Sequence, residues 1–320
     1  MRHAALFCAL LGLAPLVCNA ATPVASGVDL IAGKFVPDQQ PDGNSIIFHT
    51  ADGLLVIDTG RHAEHTQQII DYAQQSKQPI VAVINSHWHL DHISGNPRVR
   101  AAFPQARFYA SDALSDALKG FLADYHKQLE DVLSKPADEK QKQAWRSELA
   151  TIDAGSKLAP DDVISSTRQL RIGGHAFDVH LEKHSVTAGD VWVFDPTSRV
   201  LAAGDLVTLP APFFDTACPA HWKTALDDLA HADFKQLVPG HGAPMSRKQF
   251  ETYRKAYGNL LACSAGKAAK SACIDGWIHD SESLLAEGER DLARHLLDYY
   301  MDASLRADAK HTAKLCSDAS

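Results

Sequence analysis

Basic residues are scarce in this chain of 320 residues: 31 Lys and Arg stand against 39 Asp and Glu, for a formal net charge of -8. No run rich in Lys or Arg interrupts this acidic balance. Proteins that bind nucleic acid or anionic membranes as their main partner depend on a basic surface. The composition therefore argues against both partners, and a small-molecule substrate is expected instead.

Several motifs of common enzyme classes are also missing. The sequence has no GxSxG nucleophile elbow, no phosphate-binding P-loop and no GxGxxG dinucleotide fingerprint. It has no CxxC pair either, which argues against a thiolate zinc site or a dithiol redox motif. The sequence therefore does not support a serine hydrolase, a P-loop nucleotide hydrolase or a dinucleotide-binding enzyme.

Residues 1–20 are typical of a secretory signal peptide. Arg2 gives a basic start, an apolar run follows over residues 4–17, and small residues before residue 21 predict cleavage after Ala20. Because no later segment is apolar enough to cross a bilayer, no integral membrane segment is expected after cleavage. The expected location is the periplasm or the cell exterior. A buried N-terminal helix and a lipid anchor on Cys18 are the alternatives.

Four cysteines remain after such a cleavage. An even number in an oxidising compartment indicates disulfide bonds. Cys263 and Cys273 would close a short loop, so we pair them and pair Cys218 with Cys316, although four cysteines allow three connectivities.

Strand and helix patterns alternate over residues 21–320 with no linker between them, which predicts a single α/β domain. Ser45–His49 and Leu54–Ile57 flank an Asp-Gly turn and predict a hairpin, and Ile80–Ile84 predicts a buried strand.

Two helical additions to this domain are expected. Apolar steps of three and four residues predict one helix over 113–133, and the polar stretch after it predicts a second. This insertion near residues 113–150 is either a lid or wall of the pocket, or a helix pair packed outside the sheet. Helices near 248–262 and 283–300 predict a C-terminal helical extension near residues 263–320.

The strongest signal in the chain is the run His-Trp-His-Leu-Asp-His at residues 87–92, just after the predicted strand Ile80–Ile84. Imidazole and carboxylate groups suit zinc. His87 and His89 would point the same way on an extended backbone, whereas Asp91 and His92 follow a turn and can reach a second metal. One short loop can therefore serve two ions.

Three further candidates lie at strand ends or glycine turns, as a shared site at a sheet edge requires. They are His184, Asp205 and His241.

The order of these motifs resembles the signature of the metallo-β-lactamase superfamily. The matching segments are Asp-Thr-Gly at 58–60, the run at 86–96, Gly-Asp at 204–205 and Pro-Gly-His-Gly at 239–242, and the resemblance covers residues 28–260. It implies a four-layer αβ/βα sandwich that binds two zinc ions at one edge of its sheets. The implied ligands are His87, His89 and His184 for the first zinc, Asp91, His92 and His241 for the second, and Asp205 as the bridge.

The resemblance implies hydrolysis by a metal-bound hydroxide. A zinc pair lowers the pKa of bound water and polarises the scissile carbonyl. Asp91 would orient that water or accept its proton, and is the expected catalytic residue. Asp58 would fix a histidine ligand or the ligand loop, or else cap the turn that follows it.

The substrate is less well specified. Export and the resemblance of residues 184–262 favour a β-lactamase-like hydrolase, but Asp205 stands where similar exported lactamases tend to have Cys or Ser. An Asp there resembles the thioesterase, lactonase and glyoxalase-like branches. We therefore expect hydrolysis of an amide, ester, lactone or thioester bond. The alternatives are a metal-binding accessory protein of a periplasmic quinoprotein-type oxidation system, and a redox enzyme that holds iron at the same ligands.

Overall fold

The computed structural model describes residues 21–36, 39–307 and 313–317, so the predicted signal peptide lies outside the described residues. Within the described part of the chain, the strands form one sheet of seven and one of six. The two sheets pack face to face, and helices cover the outer face of each. The predicted four-layer α/β sandwich is therefore confirmed.

The first sheet contains its strands in chain order. They are Ala21–Ala25 (β1), Val28–Ile31 (β2), Ser45–His49 (β3), Leu54–Ile57 (β4), Ile80–Ile84 (β5), Arg107–Ser111 (β6) and Asp162–Ile164 (β7). β1 to β4 pair antiparallel and β4 to β7 pair parallel. The carboxyl ends of β4 and β5 therefore meet at one edge of the sheet, where Asp58 and the histidine-rich run follow.

The second sheet has the order β13-β12-β11-β10-β9-β8. Its strands are Arg168–Ile172 (β8), His175–Lys183 (β9), Gly189–Asp195 (β10), Val200–Thr208 (β11), Gln236–His241 (β12) and Met245–Ser246 (β13). β11 and β12 pair parallel and the other neighbours antiparallel. Asp205 and His241 are thereby carried on adjacent strands.

The helices lie outside the sheets. They are Ala63–Ser76 (α1), Leu90–Ile93 (α2), Asn96–Ala102 (α3), Asp112–Lys119 (α4), Phe121–Leu133 (α5), Glu139–Ile152 (α6), Pro219–Leu229 (α7), Arg247–Ala265 (α8), Lys270–Asp280 (α9) and Glu289–Tyr300 (α10). α1 and α3 pack on the first sheet, α7 and α8 pack on the second, and in the same core cluster α9 packs against α8 and α10 packs against α9. None of the helices in the described residues is both long and apolar enough to cross a bilayer.

Two helix predictions need correction. The single helix expected over 113–133 is broken at Gly120, whose φ of -109° and ψ of -100° are not helical, so α4 and α5 are separate helices. Glycine has a low helix propensity, so the break costs little there. The helix expected at 283–300 begins at Glu289, after Gly288 in a left-handed conformation (φ 85°), and α9 was not predicted.

Two disulfide bonds fasten the C-terminal helices. Cys263 bonds Cys273 and so joins α8 to α9, and Cys218 at the start of α7 bonds Cys316. This is the pairing expected from the sequence. The second bond ties residues 313–317 to the loop between β11 and α7.

Candidate metal centre

Asp58 organises the start of the histidine-rich loop. It follows β4 in a left-handed conformation (φ 61°). Its Oδ1 accepts the backbone N–H of Ser86 (2.7 Å), and its Oδ2 accepts the Ser86 hydroxyl (2.6 Å) and Nδ1 of His92 (2.8 Å). Having donated to Asp58, the Ser86 hydroxyl accepts from Nδ1 of His87 (2.9 Å). One carboxylate thus fixes two imidazole rings and leaves the Nε2 atom of each for another ligand.

A buried amide pair holds the same loop from the other side. Asn96 Nδ2 donates to Asn85 Oδ1 (2.7 Å), and the Thr59 hydroxyl donates to Asn96 Oδ1 (2.9 Å). Asn85 Nδ2 also donates to the carbonyl of His92 (3.2 Å). These polar groups are buried, so the loss of any one hydrogen bond would leave a donor or an acceptor unsatisfied. The network therefore holds the loop in one conformation.

Five of the predicted ligands gather at the sheet edge. They form two groups of three, and within each group the ligand atoms lie within 4.8 Å of one another. One group is His87, His92 and Asp205, and the other is Asp91, His92 and His241. Oδ1 of Asp205 lies 3.2 Å from Nε2 of His92 and 3.6 Å from Nε2 of His241, while its Oδ2 lies 3.7 Å from Nε2 of His87. Asp205 therefore contacts histidines of both groups.

The atoms that face one another in this cluster suit a metal ion. Among the described residues, five buried side-chain atoms lack a hydrogen-bond partner: Nε2 of His87, His92 and His241, and both carboxylate oxygens of Asp205. Buried polar groups without partners are costly, and metal coordination is one way to satisfy them. Imidazole nitrogens with carboxylate oxygens are a donor set that zinc accepts. The residues present therefore fit a zinc site.

The electrostatics of the cluster also favour a positive charge. Burial alone would lower the pKa of His92, but Asp205, Asp58 and Asp91 around it hold that pKa well above its usual value. Burial would likewise raise the pKa of Asp91, but His92 and His241 hold it well below its usual value. The pKa of Asp205 is also lowered, against burial, by His92 and His241. The carboxylates are thus ionised in a buried site suited to cations.

Two glycines allow the second sheet to bring Asp205 and His241 into the cluster. Gly204 has a φ of 53°, and the register of β11 against β12 shifts on both sides of it, so that Asp205 turns toward the edge. A Cβ on Gly240 would lie 2.0 Å from Oδ1 of Asp205. Only glycine fits at this approach of two backbones.

His89 and His184 lie outside both three-residue groups in the part of the chain described. The ring of His89 lies 4.5 Å from that of His87, and its Nε2 contacts the hydroxyl of Thr216 (2.9 Å). Because that hydroxyl donates to the carbonyl of Val186, it accepts from Nε2, and Nδ1 is then the ring nitrogen of His89 without a proton. His184 follows β9 with a φ of 54°, and its N–H donates to the carbonyl of Ala188.

A cavity of about 450 Å³ opens onto the cluster, lined at its base by His89 and Asp91. α5 contributes Phe121, Leu122 and Tyr125 to its walls, so the helical insertion is a wall of the pocket. α10 contributes to the opposite side. The cavity gives a small molecule direct access to the predicted ligands.

Sequence reasoning missed two residues of the site. Arg61 lines the cavity; its Nη2 lies 3.7 Å from Oδ1 of Asp91 and its Nη1 donates to Oε1 of Glu148 (2.5 Å). Asn44 donates through Nδ2 to the carbonyls of Pro239 and Gly242 (2.9 Å each) and so clamps the loop that carries His241. Arg61 directly follows the Asp-Thr-Gly motif, a signal that was available, whereas Asn44 has no motif around it.

The family model of the metallo-β-lactamase superfamily matches residues 40–241, which is more than half of the chain. The chain therefore belongs to the metallo-β-lactamase superfamily, whose members are hydrolytic metallo-enzymes. The match contains the histidine-rich loop, Asp205 and His241, and it ends before α8 to α10.

Two curated relatives from Pseudomonas species are alkylsulfatases. The linear primary-alkylsulfatase is 25% identical over 222 residues, which cover 62% of this chain and 41% of the relative. The (R)-specific secondary-alkylsulfatase is 26% identical over 182 residues, which cover 51% of this chain and 27% of the relative. The chain thus spans less than half the length of either relative.

Solved structures of metallo-β-lactamases share the fold. The enzyme from Pontibacter korlensis is 22% identical with a TM-score of 0.55, over 75% of this chain and 98% of that one. The enzyme from Hirschia baltica is 18% identical with a TM-score of 0.52, over 73% and 95% of the two chains. Likeness at these identities shows the fold alone.

Proposed function

We propose that the chain is a zinc-dependent hydrolase that binds two zinc ions and cleaves an acyl bond, as in an amide, an ester or lactone, or a thioester. The observation that carries the proposal is the set of five buried side-chain atoms without hydrogen-bond partners on Asp205 and three histidines, grouped with Asp91, which lines an open cavity. Such a set is costly unless it serves a metal, and the cavity lets a substrate reach it.

The seven predicted ligands divide between two ions in this proposal. His87, His89 and His184 would hold one, Asp91, His92 and His241 would hold the other, and Asp205 would be shared between them. Bound zinc would act as a Lewis acid toward the scissile carbonyl and lower the pKa of water. Asp91 lines the cavity and would orient the attacking water or accept its proton. Asp58 and Ser86 hold the rings of His87 and His92 in place.

A sulfate ester is the second candidate substrate. The two curated relatives are alkylsulfatases, and the guanidinium of Arg61 lines the cavity beside Asp91, where an anionic head group would meet it. In this proposal either substrate would be hydrolysed at the same predicted metal site, and the two differ in the group that the cavity receives.

We also propose that the chain is exported to the periplasm or beyond. The signal-like residues 1–20 and the two disulfide bonds support this location, since such bonds persist in oxidising compartments. A fusion of residues 1–20 to a reporter that is active only after export would test it, and a reporter that stays inactive would refute it.

The test of function is an assay with four substrates: 4-nitrophenyl acetate, nitrocefin, an acyl thioester and 4-nitrophenyl sulfate. We expect turnover of at least one acyl substrate, loss on chelation and recovery with zinc. Asp205→Asn should lose activity, while Asp131→Asn on the exposed side of α5 should keep it. Turnover of the sulfate alone would select the second candidate. Zinc binding without turnover of any substrate would favour the accessory protein, and recovery with iron alone would favour the redox enzyme.

A further inference from the structure

The upper part of the active-site cavity lies between α5 and α10, and we call it the apolar chamber. Its walls are large apolar side chains on both helices and on the loops beside the metal ligands. They are Trp88, Phe121, Leu122, Phe213, Leu292 and Leu296. When a ligand covers apolar surface that is exposed in a binding site, the removal of that surface from water makes the binding free energy more favourable.

α10 presents one face to this chamber. Leu292, Leu296 and Tyr300 are four residues apart and all line the cavity, while Ala293 and Leu297 are buried in the core behind them. The two leucines facing the chamber are only half-buried. α10 therefore has a core face and a separate apolar face that borders the substrate cavity.

α5 provides the opposite wall at the mouth. Phe121 is 52% exposed, one of the largest exposures of an apolar side chain in the described residues, and its ring lies 4.9 Å from that of Trp88. Trp88 itself belongs to the histidine-rich loop, between His87 and His89. The apolar surface is thus continuous from the mouth of the chamber to the metal ligands.

Three of the polar side chains that line this cavity already have protein partners. The hydroxyl of Tyr300 donates to Oδ2 of Asp215 (2.5 Å), and that of Thr216 donates to a backbone carbonyl. The guanidinium of Arg61 is paired with Glu148 at the far side. A charged or strongly polar chain would lose its hydration there without gaining an equivalent number of hydrogen bonds.

We propose that the apolar chamber holds the non-reacting part of the substrate and that this part is a neutral apolar chain. The inference rests on the proposed function for the reacting bond, and it adds the substrate class. The bond to be cleaved lies over Asp91 at the base, and the chain extends between α5 and α10. The superfamily match ends at residue 241, so the wall formed by α10 lies outside the matched region.

Binding of unreactive alcohols tests the chamber without catalysis. Titration calorimetry of the zinc-loaded mature chain with 1-hexanol, 1-octanol and 1-decanol should show a Kd that falls about fourfold for each added methylene. The double variant Leu292→Asn/Leu296→Asn should remove most of the dependence of Kd on chain length. Phe121→Ser, on the wall formed by α5, should reduce it. His295→Asn, on the exposed side of α10, is the matched control and should retain it. A Kd independent of chain length, or unchanged in the double variant, would overturn the proposal.

Hydrolysis of 4-nitrophenyl esters from acetate to decanoate separates this proposal from the proposed function. We expect kcat/KM to rise with chain length in the wild type and the His295→Asn control, and not in the double variant. Alcohol binding without hydrolysis of any ester would refute ester hydrolysis and leave the chamber supported. Hydrolysis with no dependence on chain length would refute the chamber and leave the hydrolase supported.

Discussion

Oδ2 of Asp58 lies 2.8 Å from Nδ1 of His92 and so fixes the ring whose Nε2 is shared by both groups of predicted ligands. The same oxygen accepts the Ser86 hydroxyl, which holds His87. Asp58 is 2% exposed, so water does not compete for these bonds. The orientation of two ligands therefore depends on a carboxylate that belongs to neither group.

Asp58→Asn should weaken zinc binding by about 10- to 100-fold, the usual cost of losing a partner that orients a ligand. The amide keeps the shape of the side chain, but it cannot accept all three hydrogen bonds or provide the negative charge. Competition with a fluorescent chelator would measure the affinity. Asp52→Asn, at the exposed turn of the same hairpin, is the control and should bind zinc as the wild type does.

Gly43→Ala should displace His92 and reduce zinc binding, because a Cβ at residue 43 would lie 2.4 Å from Cε1 of that ring. Gly43 cannot simply retreat, since its N–H donates to the carbonyl of Asp91 (3.0 Å). Gly276→Ala in α9 meets nothing within 4 Å and serves as the control. Equal zinc content in all three proteins would show that the ring does not need its observed position.

Arg61 and Glu148 form an ion pair whose side chains are only 14% and 12% exposed. Arg61→Met or Glu148→Met alone should lower the free energy of unfolding by roughly 3 kcal/mol, because each removes one charge of a largely buried ion pair. The double variant should lose less than the sum of the two. Urea unfolding of the four proteins measures this cycle, and strict additivity would mean that the pair contributes no coupling.

The pair of His62 and Asp42 should make stability depend on pH. The hydrogen bond to Asp42 raises the pKa of His62 above 6.5, so its contribution is complete below 6.5 and disappears as pH rises through the folded pKa. Burial opposes the shift of Asp42, but its bonds to the side chain and N–H of His62 hold its pKa below 3.8, so that contribution is lost at lower pH.

His62→Gln should therefore destabilise the protein most between about pH 4 and 6.5 and less at pH 8.5. Urea unfolding at pH 5.5 and pH 8.5 gives the comparison. His231→Gln, with a side chain 83% exposed, is the control and should show no such difference. A loss of stability that is the same at both pH values would contradict the account.

Local sequence signals predicted the elements that carry the site. The Asp-Gly turn between two apolar runs gave the hairpin of β3 and β4, and the continuous apolar run gave β5, both with the observed bounds. The disulfide pairing followed from loop length and elimination. These features succeed because each depends on residues close together in the chain.

Features that depend on distant contacts could not be predicted in this way. Arg61 reaches Glu148 across 87 positions, and Asn44 reaches Pro239 across 195. The break at Gly120 was missed because the apolar steps of three and four residues continue across it, so helical periodicity alone does not reveal it. The predicted ligand set remains a prediction: Asp205 and His241 lie with the loop at 87–92, while His184 lies outside both groups in the described residues.

The metal content of the mature chain tests the central claim most directly. The chain from residue 21 would be purified without added metal, and its metals counted by elemental analysis beside His241→Ala. We expect about two zinc ions per wild-type chain and fewer in the variant, because His241 is a proposed ligand of the second ion. Iron in place of zinc, or no bound metal in a folded wild-type chain, would contradict it.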